Sequence, residues 1–252
     1  MPAPAISSTN PTSAPEPPGR LAGSGTMRTA ALVAGASLMA MSALAGFAIF
    51  VVVDGLTTPG DAARTAADIS ASEGTFRLGV LSLYAAVVLD VLIAWALLRV
   101  FSPVSTHLSR IAAWFRLAYA AVFMVAITEL AGVPRLLEGD GYAATLTDAD
   151  RQGQVVLALD AFQDIWMASL ILFGFHLLVI GYLAFASGYV PRVLGALVAV
   201  AGFGYVFDSA GFVLSPDAPV ISTVTFVGEF LLGVWLLARS HRLPEGQVGH
   251  EI

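Results

Sequence analysis

Thr29 to Val53 runs for 25 residues without a charged side chain. As a helix that is enough to cross about 30 Å of hydrocarbon. Five more apolar stretches of spanning length follow, Leu78 to Leu98, Ile111 to Ala131, Val155 to Ala186, Val193 to Val213 and Val220 to Ala238. None alternates as a barrel strand would, and a bilayer admits only helices or closed barrels. The chain therefore reads as an all-α polytopic membrane protein, a bundle of six transmembrane helices. The fourth stretch has 32 residues and must tilt or project beyond the bilayer.

Composition excludes much else. Only 12% of the residues are charged, against roughly 25% in soluble domains. No cysteine is present, which removes disulfides, thiolate catalysis and cysteine-ligated zinc. All 12 basic residues are arginine, so no Schiff-base or P-loop lysine exists. The net charge of -6 offers no basic stripe and argues against a nucleic-acid partner. His107, His241 and His250 fall in a turn and a tail, and His-Glu-x-x-His, Gly-x-Ser-x-Gly and nucleotide-binding glycine patterns are missing. No cofactor and no metal site are expected.

Residues 1–27, rich in Pro, Ser, Ala and Thr, read as a disordered cytoplasmic tail. The transmembrane domain covers 28–239, and 240–252 forms a second cytoplasmic tail. Ala43-Leu44-Ala45 resembles a signal cleavage site, but the apolar run continues through Val53 and favours an uncleaved helix. Between the first two spans, Pro59-Gly60-Asp61 breaks the chain. Ala62 to Glu73 then reads as a short helix, interfacial or merely solvated, with Ala66, Ile69 and Glu73 along one face. Arginines near the span ends divide seven to four in favour of the side bearing Arg20, Arg28, Arg99, Arg110, Arg192, Arg239 and Arg242. The positive-inside rule then places both termini in the cytoplasm, in a multi-pass protein of the cell membrane.

Eight ionisable residues interrupt the apolar stretches, each costing about 2.5–3.5 kcal/mol or more at mid-membrane. Asp90, Arg116 and His176 lie about 9–15 Å from the inner ends of three helices, at 1.5 Å per residue. They form a candidate inner ionic set, either a helix-locking ion pair or a proton or ligand site. Asp160, Asp208 and Glu229, with Asp164 and Glu129 at the margin, are expected to line one outward polar cavity. Crowded carboxyls there would hold protons or a hard cation, or simply bond backbone and serine. Gly202-Phe203-Gly204 reads as close helix packing. Phe76-Arg77-Leu78-Gly79 and Pro191-Arg192-Val193-Leu194-Gly195 hint at a three-plus-three inverted repeat.

Several segments resemble the bacterial membrane proteins of domain of unknown function family 4386. The resemblance rests on Pro59-Gly60-Asp61-Ala62-Ala63, Phe76-Arg77-Leu78-Gly79, Asp90, Phe115-Arg116-Leu117 and Leu159-Asp160-Ala161. It continues through Phe173-Gly174-Phe175-His176-Leu177-Leu178, Ser187-Gly188-Tyr189, Pro191 to Gly195, Gly204-Tyr205 to Asp208, and Gly228-Glu229. Phe162-Gln163-Asp164 departs from it. The resemblance implies a multi-helix membrane fold and no established activity. Three functions are compatible with these residues. One is proton- or cation-coupled transport, or binding of a small molecule, proton or cation. The second is an intramembrane enzyme in which a carboxylic acid acts as general acid on a lipid-soluble substrate. The third is a structural or sensory role with the lipid bilayer as chief partner.

Overall fold

Helical backbone dominates because a long apolar run leaves its peptide groups no partners but each other. The computed structural model describes residues 24–139, 141–214, 221 and 227–242. Residues 1–23 and 243–252 of the expected tails, Ser215 to Val220 and Ser222 to Phe226 lie outside the described residues, whereas residues 24–27, expected in the first tail, open the first helix. Helix α1 (Ser24–Gly46) runs on through a π-helical stretch, Phe47–Val53, and a last turn, Asp54–Leu56. Next come α2 (Ala62–Ala71), α3 (Glu73–Phe101), α4 (Thr106–Glu138) and α5 (Asp148–Ala186). Helices α6 (Arg192–Leu214) and α7 (Val227–Arg239) complete the chain. Among the described residues five helices are long and apolar enough to cross a membrane. The sixth expected span is represented by α7.

Consecutive long helices pack side by side, α1 on α3, α3 on α4, α4 on α5, α5 on α6 and α6 on α7. Because α7 also packs on α1, the six form a closed ring. Two short connections, Ser102–Ser105 and Ser187–Pro191, mark one end of the ring, here the turn end. Tyr189 ties them together, its hydroxyl donating to the Val100 carbonyl at 2.7 Å while its ring stacks on Phe101. Burial raises the Tyr189 phenol above its usual range, so it serves as a neutral donor.

Helix α2 lies at the other end. Asp61 caps it by accepting from the Arg64 backbone N–H at 2.9 Å, and Thr65, Ala66 and Ile69 turn inward. The sequence expectation of one short helix from Ala62 to Glu73 is divided, since Glu73 belongs to the first turn of α3. There Glu73 and Glu138 both receive Arg77, at 2.6 and 2.5 Å, joining α3 to α4 at the surface. Helix α5 starts early because Thr147 and Asp150 form a reciprocal capping box. Its 39 residues span about 58 Å, nearly twice a hydrocarbon layer.

Small residues let the ring close tightly. A Cβ on Gly202 would stand 2.7 Å from the Gly174 carbonyl oxygen, and one on Gly181 2.6 Å from the Ala199 nitrogen. Backbones of α5 and α6 thus touch where larger side chains would hold them apart. Of Gly202-Phe203-Gly204, Gly202 makes this close contact, as expected.

Candidate functional site

Position along the helices decides which ionisable groups can meet. Arg116 stands ten residues into α4 from Thr106, and His176 ten residues before Ala186. Asp90 precedes Phe101 by eleven, and Glu229 precedes Arg239 by ten. At 1.5 Å per residue all four lie about 15–17 Å from the turn end. Four helices of the ring therefore bring ionisable side chains to one level.

Arg116 occupies the centre and is 0% exposed. Its Nε donates to Asp90 Oδ1 at 2.8 Å, and Nη2 approaches the same oxygen at 2.7 Å. Nη1 donates to Glu229 Oε1 at 2.7 Å and faces His176 Nε2 at 3.1 Å. Nη2 also contacts Met41 Sδ of α1 at 3.5 Å. The Phe173 ring lies under the guanidinium, 5.3 Å from centroid to carbon. Five helices thus contribute to one cationic centre, whose every donor nitrogen is already directed at protein.

His176 has one workable protonation. Its Nε2 faces a guanidinium N–H, which can only donate, so that nitrogen accepts. Its Nδ1 sits 2.8 Å from the Ala112 carbonyl oxygen, which can only accept, so that nitrogen carries the proton. The ring is therefore neutral and buttresses Arg116 from the α5 side.

Above this level the wall is aromatic. Phe173 lies 4.8 Å from Tyr119 and 5.2 Å from Tyr205, with Tyr119 stacked on Phe123 at 5.6 Å. Trp166 and Phe162 extend the series toward the α2 end, and Trp166 Nε1 donates to the Tyr119 hydroxyl at 3.4 Å.

The structure brings together the inner set, Asp90, Arg116 and His176, and adds Glu229 to it. The expected outward cavity is corrected. Glu229 faces Arg116 rather than the other acids. Asp208 is buried and accepts from the Ile221 backbone N–H at 2.8 Å, sixteen residues or about 24 Å from the turn end. Asp160 and Asp164 are exposed on α5, 26 and 22 residues before Ala186, or about 39 and 33 Å away. Half-buried Glu129 lies about 34 Å from the turn end. These three stand beyond a hydrocarbon layer of about 30 Å measured from that end. The sequence reading set depth from the apolar boundary at Val155, whereas the capped helix begins seven residues earlier. Counting Glu229 back from Arg239 would have matched it to Arg116. Met41 and Phe173 carry no charge and gave no signal.

Among the described residues no three His, Asp or Glu side chains come together as a metal-holding group. Arg116 itself occupies the point where Asp90, Glu229 and His176 converge.

A closed ring of apolar helices around a buried ion-pair centre defines a polytopic helical membrane protein. More particularly, the chain belongs to the family described as Domain of unknown function (DUF4386), whose model matches residues 33–240. It is also 31% identical over 166 residues to a protein of Archaeoglobus fulgidus described as uncharacterised, covering 66% of this chain and 86% of that one. No solved structure matches it.

Proposed function

We propose that the protein is a proton-coupled transporter whose coupling site is the Arg116 centre, set within the membrane. The observation that carries this reading is that two carboxyl groups converge on one guanidinium. With Asp90, Glu229 and Arg116 all ionised, one negative charge is in excess. An uncompensated charge in an apolar interior is costly, so a proton or another cation completes the centre. A site that holds one or the other can exchange them.

Within the pair the roles divide by exposure. Asp90, 3% exposed, meets two guanidinium nitrogens and holds Arg116 in place. Glu229, 13% exposed, meets one and is the group we assign to proton exchange. A proton on Glu229 cancels its half of the attraction and loosens α7 from α4. Because α7 also packs on α1 and α6, its movement would shift access around the ring. Arg99, Arg110, Arg192 and Arg239 lie near the turn end, which supports a cytoplasmic position for that end.

Access to the centre is the test. Met41→Cys places a single thiol beside Arg116 in a chain without other cysteines. In oriented proteoliposomes an impermeant thiol reagent should reach it from one side at low pH and from the other at high pH. A thiol inert from both sides at every pH, while a Thr145→Cys control reacts, overturns the reading.

A further inference from the structure

The chemistry around Arg116 also selects the kind of molecule that a transporter with this site would carry. Resting on the proton-coupled reading above, we infer that the substrate is a small organic ammonium ion with an apolar or aromatic body, exchanged against protons. Three features of the site point the same way.

The first is charge sign. An anionic substrate would need free donors, and Arg116 has none to spare. Its Nε, Nη1 and Nη2 are directed at Asp90, Glu229, His176 and Met41. The ring N–H of His176, at Nδ1, is held by the Ala112 carbonyl.

The second is acceptor capacity. Every hydrogen bond to the two carboxyls among the described residues falls on Asp90 Oδ1 or Glu229 Oε1. Asp90 Oδ2 and Glu229 Oε2 receive none of these bonds. A protonated amine supplies both the positive charge and up to three donors.

The third is the wall. Phe173 already presents its face to one cation, the guanidinium, and stands between Tyr119 and Tyr205. Aromatic faces attract ammonium groups and pack against apolar bodies. The groups facing the carboxyl pair are Arg116 and Tyr119 of α4, His176 of α5, and Tyr205 of α6, which also lies within electrostatic reach of Asp208. Among the described residues of α1, the neutral Met41 thioether contacts the centre.

Exchange then balances. With one proton on the carboxyl pair the centre is neutral. When an ammonium ion binds, that proton leaves to solvent and the centre is neutral again. Proton and amine compete for the same negative charge, which is the basis of antiport.

The experiment is calorimetric titration of the purified full-length protein in lipid nanodiscs with phenethylamine, and with the matched anion 3-phenylpropionate. Phenethylammonium should bind and release protons, with its affinity falling as the pH drops. Glu229→Gln should abolish the proton release, and 3-phenylpropionate should not bind. Binding of the anion as tightly as the amine, or amine binding independent of pH, overturns the inference. A parallel infrared titration separates the two readings. If a carboxyl band titrates in the wild type and vanishes in Glu229→Gln, yet phenethylammonium does not bind, the substrate class is wrong and the proton site stands. If no such band titrates, the proton-coupled reading itself fails.

Discussion

Arg116 reaches Asp90 through two nitrogens and Glu229 through one, so the two carboxylates are bound to the same cation on unequal terms. Their removal should therefore have unequal consequences. Arg116→Gln leaves two buried carboxylates without a cation and should be the worst single change, costing about 3–5 kcal/mol. Asp90→Asn should destabilise less, because Glu229 still balances the guanidinium. Glu229→Gln should be close to neutral or stabilising, since it removes the excess charge. Thermal unfolding in detergent gives the ranking, and an Asp90→Asn loss larger than that of Arg116→Gln would contradict the shared-cation geometry. The double variant Asp90→Asn/Arg116→Gln should lose less than the sum of its parts.

The His176 tautomer is directly observable. In 15N-labelled protein, Nδ1 should carry the proton and Nε2 should show the shift of an unprotonated ring nitrogen. The opposite tautomer would mean that Arg116 does not donate to this ring.

Close helix contact predicts opposite outcomes for glycines that look alike in sequence. Gly202→Ala and Gly181→Ala put a methyl group within 2.7 Å of backbone and should cost about 1–3 kcal/mol. Gly132 and Gly153 face open space within helices, so Ala there should stabilise by about 0.5–1 kcal/mol. Melting temperatures of the four variants decide the matter.

Surface and centre should respond differently to salt. Arg77, Glu73 and Glu138 are exposed, so Arg77→Gln should lower stability only slightly. That small cost should shrink further in high salt, whereas the cost of Arg116→Gln should not. An Arg116 effect as salt-sensitive as that of Arg77 would mean that the centre is screened like the surface.

Sidedness follows from the ring. Ser102 lies in a connection at the turn end and Thr145 at the α2 end. Single cysteines there should label from opposite sides of the membrane, Thr145→Cys from outside on intact cells. External labelling of Ser102→Cys would reverse the orientation.

The helical membrane fold is legible residue by residue, because a continuous apolar run of about 20 residues without strand alternation satisfies its backbone in lipid as a helix. Asp90, Arg116 and His176 were legible as a set for a related reason. Charges are so costly at depth that those sharing a level must pair, and level can be counted along a helix. Glu229 shared that level too, but the count depends on which helix end is the reference. Only packing revealed that α7 closes the ring against α1 and turns Glu229 toward α4. Likewise, Asp160 and Asp164 sit in apolar sequence. They stand 26 and 22 residues before Ala186, more than about 30 Å along α5 from the turn end. Met41, Phe173 and the aromatic wall were chosen by the tertiary structure alone, since neutral side chains pay no solvation cost that would announce their partners. Sequence determined which residues had to be buried in company; the ring decided which company each one keeps.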